Sequence, residues 1–141
     1  MFLNLDDRRI YFDLMGPDDG PVVCFSHSLS SDSGMWAEQV PELLAAGYRI
    51  LRLDMRGHGG SDPVAGDYTM EALASDVRAA LNTLAISKVH FIGLSIGGMI
   101  GQAFAIHHPD HVASLMLCDT MPVTPDGAEN AWGPRLEAVR K

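Results

Sequence analysis

Val89–Gly101, VHFIGLSIGGMIG, is the stretch on which the reading of the whole chain turns. It opens as a short apolar run rich in β-branched and aromatic residues, Val89, Phe91 and Ile92, which reads as a buried strand. It passes through Gly93-Leu94-Ser95-Ile96-Gly97 and continues from Gly98 to His107 as a helix of small and apolar residues. Strand, sharp turn and helix with one serine at the tip make a nucleophile elbow of the pattern G-x-S-x-G. Such a turn strains the serine backbone, and only small neighbours fit beside it; Gly93 and Gly97 supply them. Ser95 Oγ then stands at the helix N-terminus, where developing negative charge is favoured.

A rival reading shares the same residues. Gly93-x-Ser95-x-x-Gly98 is close to the dinucleotide fingerprint G-x-G-x-x-G, and Asp119 ends the next apolar run near the spacing of a ribose-binding acid. The middle glycine, which lets a pyrophosphate approach the backbone, is here a serine. That defect makes a dinucleotide-binding half-domain the weaker alternative.

Outward from the elbow, strands and helices alternate. Phe2–Leu5 and Arg9–Met15 read as an antiparallel hairpin around Asp6-Asp7, and Val22–Ser26 as a continuous apolar strand. The polar loop His27–Gly34 leads to a helical segment from Met35 to Ala46, with Pro41 marking a start or break and Gly47 a stop. Tyr48–Asp54 alternates as a strand and runs into a glycine-rich loop, Met55–Tyr68. Thr69 caps a helix whose apolar positions Leu73, Val77, Leu81 and Leu84 keep helical spacing. Val112–Cys118 reads as another buried strand. After it Pro122, Pro125, Asp126 and Gly127 form a loop, and Trp132–Lys141 a weak helix. The pattern predicts an α/β fold with a mostly parallel sheet, helices on both faces and an initial antiparallel hairpin.

Composition narrows the function classes. The 141 residues suffice for one modest domain with a core, and the hydrophobic fraction of 47% speaks for a globular chain. A net charge of -8 argues against a nucleic acid or an anionic membrane as partner. MFLNLDDRRI turns acidic before a signal-peptide core can form, so a cytoplasmic location is expected. Cys24 and Cys118, both placed in buried strands, suit a reducing compartment. His107, His108 and His111 do not make a metal site, because the first two point to different helix faces and Pro109 ends the helix before the third.

Four separated stretches then agree: Phe25-Ser26-His27-Ser28-Leu29 with Trp36 downstream, Asp54-Met55-Arg56-Gly57-His58-Gly59-Gly60-Ser61, Tyr68-Thr69, and Gly93–Gly98. Together they resemble the N-terminal half of an α/β-hydrolase, and most closely the 3-oxoadipate enol-lactonase branch, to which the Ser-Leu after His27 points. The resemblance implies Ser95 as catalytic nucleophile, backbone N–H groups of Leu29 and Ile96 as oxyanion hole, and no cofactor or metal. The substrate it implies is a small ester or lactone. A carboxylesterase or a cofactor-free haloperoxidase-like enzyme stays open as an alternative. His27 is expected to orient its loop rather than act as base, and His58 to be structural.

The family's triad runs serine, acid, histidine in chain order. After Ser95 the sequence offers only His107, His108 and His111, which lie on or just past the elbow helix. Asp119 stands where a minority of such enzymes keep the acid, although a structural strand-end aspartate is the plainer reading. The expectation is therefore residues 1–121 as part of the catalytic core and 122–141 as the start of a cap. Acid and base would come from a second chain or a C-terminal half. Trp132 is a candidate pocket residue from that cap. In the sheet order the resemblance implies, Cys24 and Cys118 lie on strands separated by one other strand and should remain unbridged, because two strand spacings of about 4.8 Å exceed disulfide reach.

Overall fold

The computed structural model describes residues 1–5, 7–123 and 126–139. Asp6 of the first expected turn, Pro125 of the late loop and residues 140–141 of the last expected helix lie outside the described residues.

The hairpin is β1 (Phe2–Leu5) and β2 (Arg8–Met15), and it continues into a sheet with β3 (Val22–Ser26), β4 (Arg49–Leu53), β5 (Val89–Leu94) and β6 (Val112–Cys118). The six strands run in the order β1-β2-β4-β3-β5-β6. β2 pairs antiparallel with β1 and β4, whereas β4, β3, β5 and β6 are mutually parallel. The helices are α1 (Val40–Ala45), α2 (Met70–Thr83), α3 (Ile96–His107) and α4 (Ala128–Val139). Within the segment expected to be helical from Met35, a 3-10 turn at Ser33–Trp36 comes first and α1 follows with Pro41 in its first turn, where the missing N–H costs nothing.

The alternation of side chains across the parallel strands splits the core in two. Cys24, Leu51, Leu53, Val89 and Phe91 face one side, where Leu73, Val77, Ala80 and Leu81 of α2 and Ile100 and Phe104 of α3 cover them. Val23, Phe25 and Ile50 face the other, under Trp36 and Val40. Helices on both faces are thus explained by strands that are apolar on both faces. Thr69 caps α2 as its sequence position predicts, accepting the Ala72 N–H at 3.1 Å.

The chain leaves β3 for β4 on one side and returns past β3 to form β5 on the other. The connections therefore diverge between β3 and β5, and at such a switch point a crevice opens outside the carboxyl ends of the strands. Ser26 and Gly93 are paired there, so the loop after β3 and the elbow after β5 leave the sheet side by side.

Three expectations need correction. β6 is not a buried strand: it lies at the sheet edge, with Met116 57% and Leu117 43% exposed. Cys118 is accordingly only half-buried. The elbow helix starts at Ile96, directly after Ser95, not at Gly98, and the last helix starts at Ala128, ahead of Trp132. Cys24 and Cys118 do sit on strands separated by β5, with both thiols free. Burial pushes the Cys24 thiol up to about 12, so it stays neutral. No described helix is long and apolar enough to cross a membrane.

Candidate active site

Ser95 stands at the end of β5 with φ 55° and ψ −118°, a conformation that L-residues avoid. Holding it costs on the order of 1–3 kcal/mol, which the surroundings must offset. They do so by filling every backbone valence. The Ser95 N–H donates to the Cys118 carbonyl at 2.9 Å. Its own carbonyl accepts from Gly98 N–H at 2.9 Å and from Met99 N–H at 3.1 Å. The Thr120 hydroxyl donates to the same carbonyl at 2.7 Å.

The glycines around it are demanded by close backbone approach. A Cβ on Gly93 would stand 2.2 Å from the Gly97 carbonyl oxygen, and one on Gly97 would stand 2.2 Å from that of Ser26. The elbow helix therefore rests backbone against backbone on the end of β3, and only glycine permits it.

Ile96 is the first residue of α3, so its N–H has no acceptor in its own helix and faces outward from the helix N-terminus. Among the described residues neither Ile96 N–H nor Leu29 N–H donates to a backbone carbonyl. Leu29 is 40% exposed on the loop after β3, beside Ser30 at φ 58°. These two residues and Ser95 line one open cavity of about 740 Å³. Its other wall is apolar, Met99 and Met121, and its roof is Trp132 of α4. Arg135, whose guanidinium carbon lies 5.0 Å over the Trp132 ring, is the one charged residue among the described residues lining it. Neither Arg135 nor Thr120 stood out in the sequence as a site residue.

The loop after β3 is fixed from below. His27 is fully buried, its Nε2 accepting the Met55 N–H at 3.0 Å and its Nδ1 donating to the Ser28 carbonyl at 2.8 Å. Burial lowers its pKa, so the ring is neutral and serves as a strut, as its position suggested. His58 packs beside it, ring centroids 5.4 Å apart, with Nδ1 3.3 Å from the Arg56 carbonyl. The glycine-rich loop from Asp54 to Ser61 is a scaffold too. Asp54 accepts Ser33 N–H at 2.7 Å and Gly60 N–H at 2.8 Å, and the Ser61 hydroxyl donates to the Asp54 carbonyl at 2.7 Å. Arg56 grips Asp76 of α2 through Nε at 2.6 Å and a terminal nitrogen at 2.7 Å.

The later histidines are remote from Ser95. His107 closes the 12-residue α3, which at about 1.5 Å per residue puts it ~18 Å from the elbow. His111 Nδ1 is taken by the Ser87 carbonyl at 2.8 Å. Asp119, at φ 41° after β6, is exposed.

A family model described as the alpha/beta hydrolase fold matches residues 21–139. The chain belongs to the α/β hydrolase fold family. It is 34% identical over 139 residues to 3-oxoadipate enol-lactonase 1 of Acinetobacter baylyi, covering 99% of this chain and 51% of that protein. It is 35% identical over 122 residues to the pig bifunctional epoxide hydrolase 2, covering 84% of this chain and 22% of the relative. The crystal structure of the enol-lactonase from Burkholderia xenovorans superposes with a TM-score of 0.92 at 34% identity, over 100% of this chain and 54% of that one. The chain thus spans about half the length of the enol-lactonases it matches. Membership of the α/β hydrolase fold family stands against the dinucleotide-binding reading of the elbow.

Proposed function

We propose that this chain supplies the nucleophile and oxyanion hole of a serine hydrolase of carboxylic esters or lactones, with a substrate of the 3-oxoadipate enol-lactone kind. In this reading Ser95 Oγ attacks the carbonyl carbon, and the carbonyl oxygen takes up negative charge between the Leu29 and Ile96 N–H groups. Collapse expels the alkoxide or enolate and leaves an acyl-enzyme, which water hydrolyses. The observation that carries the reading is the strained Ser95 beside an Ile96 N–H left without an acceptor at a helix N-terminus. Strain of this kind is concentrated at functional sites.

Proton transfer needs an acid and a base that the described residues do not bring to Ser95. The proposal assigns them to a second chain or a C-terminal half, consistent with relatives about twice this length. It assigns residues 122–141 to the beginning of a cap, with Trp132 facing the substrate. A lactone formed from a dicarboxylic acid keeps one free carboxylate, and Arg135 over the Trp132 ring gives the cavity a cation to receive it. No cofactor is required. Two unpaired thiols accord with a reducing, cytoplasmic setting.

The test is Ser95→Ala in the assembled enzyme, with kcat/KM measured on enol-lactone and p-nitrophenyl esters. A loss of about a thousandfold or more with the fold intact is the expected result. A variant keeping over a tenth of the wild-type kcat/KM refutes the assignment.

A further inference from the structure

The segment leaving β6 grips the elbow on both sides of its serine. The Cys118 carbonyl accepts the Ser95 N–H at 2.9 Å. One residue later Asp119 takes the left-handed φ of 41°, and Thr120 is thereby turned back toward the elbow. Its hydroxyl donates to the Ser95 carbonyl at 2.7 Å. The side chain is seated against α3, since a Cβ on Gly98 would stand 2.7 Å from both Thr120 Cβ and Cγ2.

The consequence follows from the planarity of the trans peptide. The Ser95 carbonyl and the Ile96 N–H belong to one rigid group and point in opposite directions. Whatever fixes the carbonyl aims the N–H. The amides of Gly98 and Met99 draw the carbonyl along the α3 axis, as at any helix start. Thr120 reaches it from another element and opposes rocking of the peptide about that axis. We propose that Thr120 is a positioning residue that aims the Ile96 N–H into the oxyanion site, acting through the Ser95–Ile96 peptide without touching substrate.

This inference rests on the proposed use of Ile96, and its test separates the two. The first readout is the one-bond N–H residual dipolar coupling of Ile96 in the assembled protein, which reports the direction of that bond whatever the activity. In Thr120→Val, which keeps the shape and loses the donor, this coupling should change more than those of the amides further along α3. In Thr120→Ser it should return. Gly98→Ala, which displaces Thr120 from the other side, should change it as well. The second readout is turnover: Thr120→Val should lower kcat roughly tenfold with KM within about twofold, less than loss of a whole oxyanion donor. Thr120→Ser should recover to within about threefold of wild type. An Ile96 coupling unchanged in Thr120→Val overturns the positioning role. A changed coupling with kcat unaltered keeps the aiming of the bond and refutes its use in an oxyanion hole, and with it the proposal as stated.

Discussion

His27 joins the loop after β3 to the loop after β4 through a single acceptor, its Nε2, which takes the Met55 N–H at 3.0 Å. With Nδ1 donating to Ser28, only the neutral ring satisfies both contacts. A second proton would set an N–H against an N–H in a buried place. Leu29 lies two residues on, so the strut also holds the proposed oxyanion loop.

A pH dependence follows, and its sign is fixed by the direction of the shift. Burial depresses the folded-state pKa of His27 below its ordinary 6.5. Above that value the ring is neutral in both states and folding carries no penalty. As pH falls from there toward the folded-state pKa, the unfolded chain binds a proton that the folded one refuses, and stability is lost. His27→Gln removes this contribution. Urea midpoints at pH 8 and pH 5 should fall further for the wild type than for the variant. Equal falls would contradict the assignment of His27 as a buried neutral strut.

The contact of α3 with β3 predicts an unusually intolerant glycine. A methyl group on Gly97 meets the Ser26 carbonyl at 2.2 Å and the His27 carbonyl at 2.7 Å, and neither can rotate away. Gly97→Ala is expected to cost about 2–4 kcal/mol by overpacking and to move Ser95 with it. Gly133 in α4 has nothing within 4 Å of its would-be Cβ apart from its chain neighbours. Gly133→Ala should change stability far less, because its gain in helix propensity is offset by the clash of the new Cβ with the ring of the following Pro134. Thermal denaturation of the two variants checks the contrast; similar changes in both would refute it.

The elbow was legible in the sequence because close backbone approach leaves glycine no substitute, and Gly93 and Gly97 bracket the serine at fixed spacing. The strand and helix on either side were legible for the same local reason, and His27 as a strut followed from its place in the loop. Thr120 was not legible. Its partner lies 25 residues back, and only the pairing of β5 with β6 brings the two together. An apolar run announces a strand, but burial depends on what packs beside it, and β6 is the edge of the described sheet. Arg135 was hidden because one charged residue on a weak helix looks like any solvated arginine until the helix is placed over the cavity.

Asp76 predicts a large loss from a small change. It receives Arg56 and also Arg8 of β2, which ties the hairpin and the glycine-rich loop to α2. Asp76→Ala leaves the largely buried Arg56 guanidinium without its counter-charge and should cost about 3 kcal/mol or more. Replacing Asp76 and Arg56 together by apolar residues, Asp76→Leu with Arg56→Met, should recover much of that loss, because Arg8 keeps its pair with Asp7. Chemical denaturation of the single and double variants decides it. A double variant less stable than the single one would mean that the pair stabilises by more than mutual neutralisation.

Arg135 is placed to govern the choice between charged and neutral substrates in the proposed enzyme. Its guanidinium lies over the Trp132 ring, and no described carboxylate forms a salt bridge with it. The cation is thus oriented in a cavity that contains Ser95 and whose described lining holds no other charge. A substrate carboxylate meeting it forms a charge-assisted pair, whereas a neutral substrate gains nothing from it. The chain carries a net charge of -8, so a single cation at the site also offsets the repulsion that an anionic substrate meets on approach. In the assembled enzyme Arg135→Met should raise KM for a mono-p-nitrophenyl dicarboxylate ester about tenfold and leave that for p-nitrophenyl acetate within about twofold. Arg135→Lys should fall between, because an ammonium keeps the charge and loses the planar fork. Equal KM changes for the charged and neutral esters in Arg135→Met would show that the residue shapes the cavity rather than selecting a carboxylate.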